Sequence, residues 1–97
     1  MKNNILRGKI LRLLADMYPD GIERTSLLGI YHAYEHVDDI DKSVSYLVDK
    51  GYCTKTETPH PYKANISVIY FKITPAGLDL IEGNCASDAG ILIPLEA

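Results

Sequence analysis

Leu6, Ile10, Leu13, Leu14 and Met17 recur at helical spacing and predict a first helix. Asn3 or Asn4 is its expected cap, and Tyr18-Pro19-Asp20-Gly21 its stop, because proline lacks a ladder donor and Asp-Gly favours a turn. Ile5 and Leu11 fall off that stripe, which leaves them partly exposed or against a partner chain. Gly21 to Arg24 reads as a short connector, at most a minimal strand. Thr25 or Ser26 is the expected cap of a second helix running to about Tyr34, with Leu27, Leu28 and Tyr31 facing inward. Gly29 inside that helix costs about 1 kcal/mol relative to alanine, which tertiary packing must offset.

A third helix opens at Asp38, whose carboxylate is placed to cap it, with Asp39 and Asp41 near the positive end of the helix dipole. Ile40, Val44, Leu47 and Val48 form its apolar stripe, and Lys50-Gly51 ends it with a cation and a glycine that tolerates positive φ. Tyr52 to Thr58 then reads as a strand. The segment 59–65, with two prolines, is a hairpin tip, and Ile66 to Ile73 is the returning strand. Ser67, Ile69, Phe71 and Ile73 share one face of that strand, and Ile66, Val68, Tyr70 and Lys72 the other. Both faces are apolar, so the second is either covered or meets a partner. Thr74-Pro75 starts a fourth helix, with Leu78 and Ile81 inward and Gly83 at its end. The tail, 84–97, carries Ile91-Leu92-Ile93, which is too apolar for a simple solvated end and is expected to dock, with Val68 and Tyr70 as the nearest uncovered surface.

At 97 residues the chain suits one domain. No apolar run approaches the ~20 residues of a membrane helix, and the N-terminus interleaves charge with apolar residues, unlike a signal peptide. The expected location is therefore cytoplasmic, and Cys53 and Cys85 are expected as free thiols. Asn65-Ile66-Ser67 matches a glycosylation acceptor, which has no weight in a cytoplasmic protein. The net charge of −3 hides an alternation. Residues 1–14 carry Lys2, Arg7, Lys9 and Arg12 without an acid, and 15–49 carry eight acids against Arg24 and Lys42. Residues 50–74 carry Lys50, Lys55, Lys63 and Lys72 against Glu57, and 75–97 carry four acids and no base.

The order helix, helix, helix, hairpin, helix brings the chain to a known pattern. The segment IDKSVSYLVDKGY (40–52) resembles the recognition helix and first wing strand of the winged helix-turn-helix superfamily of small bacterial and prophage regulators. The segment FKITPAGLDLIE (71–82) is similar to the second wing strand and the helix that follows it, with Thr74 and Gly77 in a T-x-x-G start. The resemblance covers residues 5–83. It implies an α+β, mainly helical fold: a three-helix winged helix-turn-helix core with a β-hairpin wing, a fourth short helix and a C-terminal tail. The domain would span 1–83 and the tail 84–97. It further implies a sequence-specific transcriptional regulator that binds double-stranded DNA as a homodimer.

Carried onto this sequence, the resemblance places DNA contacts at Lys42, Ser43, Tyr46 and Lys50 of helix 3, with Asp39 beside them. On the wing it places them at Lys55, His60, Tyr62 and Lys63. Four lysines in that set imply a salt slope of roughly −3 to −4 per chain. The chain departs from the pattern at Asp38, Asp39 and Asp41, which crowd the helix end normally pushed into the major groove. Those acids leave a second reading open, a winged-helix module that binds a protein partner instead of DNA.

His32-Ala33-Tyr34-Glu35-His36 spells H-x-x-E-H, a metallopeptidase pattern. A catalytic zinc needs a further distant ligand and a cleft, so the pattern reads as the polar end of helix 2. The three aspartates read as capping and dipole pairing in preference to a metal site. Cys53 reads as a small buried residue. The sequence holds no nucleophile–base constellation and no Gly-rich phosphate loop, so no enzyme, metal or cofactor is expected.

Overall fold

A computed structural model describes residues 2–94, Lys2 by its backbone alone. Among these residues the fold is α+β, with four helices and a three-stranded antiparallel sheet. The elements are α1 (Lys2–Met17), β1 (Ile22–Glu23), α2 (Arg24–Tyr31), α3 (Val37–Asp49), β2 (Cys53–Pro59), β3 (Ser67–Ile73) and α4 (Pro75–Glu82). The sheet order is β1-β3-β2, with Ile22 opposite Phe71, and Cys53 to Pro59 opposite Ile73 to Ser67. No helix among the described residues is long and apolar enough to cross a membrane.

The core follows the predicted stripes. Leu6, Ile10 and Leu14 of α1, Leu27 of α2, and Ile40, Val44 and Leu47 of α3 meet Ile22, Cys53, Phe71 and Ile73 of the sheet. Leu11 is a correction, because it is fully buried. α1 packs on α3, α4 and β3 together, so a single stripe underestimates the width of its buried face. Ile5 does stay 42% exposed. In α4 the sequence pattern favours Leu78 and Ile81, yet Leu80 is the buried residue and those two pack at the core's margin.

Local chemistry explains both ends of α4 and the C-terminal end of α3. Thr74 caps α4 by accepting from the Gly77 N–H at 3.2 Å, with Pro75 in the first turn. Its hydroxyl also donates to the Gly51 carbonyl at 2.6 Å, which pins α4 to the turn after α3. Gly83 closes α4 at φ 78°, and Gly51 follows α3 at φ 80°, both in the region that favours glycine. Three expected caps differ. Asn3 and Asn4 lie inside α1, which already runs from Lys2. α2 starts after Glu23 and α3 after His36, neither with a side-chain cap bond, and Thr25, Ser26 and Asp38 fall inside the helices. α2 also stops at Tyr31, three residues short of the expected Tyr34.

As far as Pro94 the tail docks on α1 and on the end of α3, not over Val68 and Tyr70, and 95–97 lie outside the described residues. Ile91 is 5% exposed and belongs to the core. The Leu92 N–H donates to the Asn4 carbonyl at 3.0 Å, and Asn4 Nδ2 donates to the Ala89 carbonyl at 3.2 Å. Gly8 permits this approach, since a Cβ there would collide with the Leu92 carbonyl. Tyr70 on the outer sheet face stays 43% exposed.

Candidate nucleic-acid interface

α3 divides cleanly into faces. Ile40, Ser43, Val44 and Leu47 are buried, whereas Asp38, Lys42, Ser45 and Asp49 are exposed at spacings of four, three and four residues. That outward row carries two acids and one cation. Asp41 lies toward the hairpin and takes the Arg24 guanidinium bidentately, Nε to Oδ1 at 3.1 Å and Nη2 to Oδ2 at 2.8 Å. The hydrogen bond to Asp41 is the main reason the Arg24 pKa is raised. The pair fastens the start of α2 to α3, and at 34% and 41% exposure its energetic weight is that of a surface pair, about 0–1 kcal/mol.

The expected contact residues divide into three groups. Ser43 is 1% exposed with an unpartnered Oγ, so it faces the core and not a ligand. Its position three residues after Ile40 and four before Leu47 places it on the apolar stripe. Tyr46 and Lys50 contact other parts of the chain, Tyr46 half-buried and Lys50 still exposed. The Arg7 guanidinium lies 3.7 Å from the Tyr46 ring centroid and donates to the Gly90 carbonyl at 3.2 Å. Lys50 Nζ is 3.0 Å from Asp88 Oδ2, and its pKa is raised chiefly by that bond.

Asp88 also accepts from the Tyr52 hydroxyl at 2.7 Å and, through Oδ1, from the Gly90 N–H at 2.8 Å. The Tyr52 bond, then the Gly90 bond, hold the Asp88 carboxyl below the usual carboxylate range. The same hydrogen bond, helped by burial, pushes Tyr52 up to about 12.

The third group stays open to solvent: Lys42 on α3 and Lys55, Tyr62 and Lys63 on the hairpin. Beyond Cys53 every residue of β2 is exposed, so the distal hairpin stands clear of the core. Its tip is organised from within. His60 Nδ1 accepts the backbone N–H groups of Tyr62 and Lys63, each at 3.1 Å, and His60 N donates to the Ile66 carbonyl at 2.8 Å. His60 is therefore a builder of the loop, and the residues it displays are Tyr62, 92% exposed, and Lys63. Lys42, Lys55 and Lys63 take part in no ion pair among the described residues.

Between α3 and the hairpin lies a cleft of about 390 Å³, with Val44, Val48, Ile69 and Phe71 as its floor and Arg24, Asp41, Asp49 and Lys55 at its rim. Arg24, Ser45 and Asp49 are the surface residues that sequence reasoning passed over. The spacing 38-42-45-49 would have found the last two. The Tyr52–Asp88 contact has no local signal, because it joins residues 36 positions apart.

The H-x-x-E-H segment does not form one helical turn. α2 ends at Tyr31, His32 is its C-cap and His36 precedes α3, so the two histidines belong to different elements. Among the described residues no group of three potential metal ligands converges. Compared with protein-family models, with curated proteins and with solved structures, the chain matches none.

Proposed function

We propose that this chain is a winged-helix protein that binds duplex DNA through its hairpin, with α3 lying alongside as the recognition helix. The element order, with α2 and α3 joined by a short turn and followed by an antiparallel hairpin, supports the winged-helix arrangement. The observation that carries the reading is the hairpin tip. His60 holds a loop that presents an exposed aromatic ring and an unpaired lysine well away from the core. Lysine at such a site neutralises phosphate, and a tyrosine beside it packs on sugar or base edges.

In this reading affinity comes from Lys42, Lys55 and Lys63, and base contact from the outward row of α3. Ser45 and Asp49 there offer hydrogen-bonding groups of the kind that meet base edges, Asp49 as an acceptor for cytosine N4. The acids on α3 keep the helix shallow in the groove and leave most of the grip to the hairpin. The role that follows is a cytoplasmic transcriptional regulator acting as a homodimer. Replacing Tyr62 and Lys63 together by alanine tests it. Duplex retention in a gel-shift assay should be lost while circular dichroism stays unchanged. Retention equal to the parent protein would overturn the role of the tip.

A second reading has its own observation, the acidic outward row of α3 beside the apolar-floored cleft. Those features suit a basic protein surface, and a chain that ignores duplex DNA at low salt while binding such a surface would favour it.

A further inference from the structure

β2 is an edge strand. The order β1-β3-β2 leaves its outer side without a neighbour, and residues 54–58 are all exposed. No turn, loop or tail backbone group among the described residues bonds to that side. A seven-residue edge with free N–H and C=O groups is a template for another strand, and proteins commonly blunt it with charge or proline. Here proline comes only at the end, as Pro59, and the two charges cancel.

The segment Thr54-Lys55-Thr56-Glu57-Thr58 is complementary to itself. Laid antiparallel against a second copy about a twofold axis at Thr56, it sets Lys55 opposite Glu57 of the partner subunit and Thr54 opposite Thr58 of the partner subunit. Thr56 meets Thr56 of the partner subunit on the axis. Moving the axis to Lys55 would oppose lysine to lysine, and moving it to Glu57 would oppose glutamate to glutamate. A one-residue slip would put inner-face residues opposite outer-face ones, against the pleat. The charge pattern therefore selects one register.

We infer that β2 is a self-association surface, and that two copies of this chain join edge to edge through residues 54–58 into a continuous six-stranded antiparallel sheet. The contact is isologous, as a twofold dimer requires. Each subunit's core lies at the Cys53 end of its own β2, so the antiparallel join sends the two cores to opposite ends of the shared sheet. On the outer face, where Thr56 sits beside Tyr70, the two β-branched threonines of the axis are flanked by a tyrosine from each subunit. The pairing gives the homodimer of the proposed function a surface, yet it stands without that reading and its test needs no DNA. In the dimer Lys55 is engaged by the partner, so the phosphate-facing lysines become Lys42 and Lys63 from each subunit.

Sedimentation velocity over a wide concentration range tests the interface with Lys55→Glu and Glu57→Lys. Both positions are exposed, so the fold should survive, as circular dichroism can verify. The unaltered chain should show a concentration-dependent dimer. Each single reversal creates two like-charge cross-strand pairs and should weaken dimerisation about tenfold or more. An equimolar mixture of the two single variants should recover it, since each lysine then meets a glutamate, and so should the variant carrying both reversals. A chain that stays monomeric at every concentration would overturn the inference. So would a dimer that neither single reversal weakens, or single variants that fail to recover when mixed.

Discussion

Asp88 in the tail accepts a 2.7 Å hydrogen bond from Tyr52 at the head of β2, and the same carboxylate reaches Lys50 Nζ at 3.0 Å. One side chain thus closes the tail over the end of α3 and pairs with a lysine whose side chain stays 44% exposed. Three bonds converge on it, counting the Gly90 N–H, and a carboxylate is the one side chain that can accept all of them at once.

The Asp88 carboxyl is held below its ordinary range, first by Tyr52, so the docked tail binds that proton less readily than an undocked one. The stabilisation is therefore full above the ordinary carboxyl pKa near 4 and fades as pH falls through the lowered folded value. Asp88→Asn should lower stability by about 1–2 kcal/mol at neutral pH. The gap between the two proteins should close in acid. Chemical denaturation at a series of pH values measures it, and a gap that persists at the lowest pH would show that the carboxylate's charge is not what holds the tail.

Cys53 is 2% exposed, and burial pushes its thiol up to about 12, whereas Cys85 is exposed. The thiolate is the reactive form, so a thiol reagent at about pH 8 should label one site quickly and the second only after unfolding. Peptide mapping should find the fast label on Cys85. Rapid labelling of Cys53 in the folded chain would mean that the β2 end opens far more readily than its packing allows.

Ser43 leaves a hydroxyl buried without a partner. Ser43→Ala removes that unsatisfied group and improves helix propensity, so it should be neutral or stabilising by about 1 kcal/mol. Thermal melting checks the stability. A loss of DNA binding in the folded variant would restore Ser43 to the interface and contradict its assignment to the core.

What could be read from the sequence was what local chemistry decides. Thr74, Pro75 and Gly83 bound α4 because cap, fixed φ and positive φ all act within a turn. Lys50-Gly51 ended α3 for the same reason, and the hairpin emerged from its prolines and β-branched run. The starts of α1, α2 and α3 were misplaced although they too are local, because those helices begin without the side-chain caps the sequence offered. The rest of what could not be read depends on contacts distant in the chain. Leu11 is buried because α1 is covered on more than one side, and the tail's seat follows from Gly8 and Asn4, more than 80 residues before the groups they meet. Tyr46 and Lys50 looked available only because Arg7 and Asp88 were invisible as their partners. The surface that remained, Lys42, Lys55, Tyr62 and Lys63, was legible, because exposed hairpin and helix positions follow from periodicity.

The most direct test of the central claim is fluorescence anisotropy of a random-sequence DNA duplex titrated with this protein at several salt concentrations. Lys42 and Lys63 from each subunit predict binding at low salt, with log K falling against log salt by roughly 4 per bound dimer, or by roughly 3 for a lone chain whose Lys55 is also free. Lys42→Ala should flatten that slope by about one per chain. No binding at low salt, or a slope near zero, would contradict a phosphate-gripping hairpin and leave the acidic face of α3 as the surface to pursue.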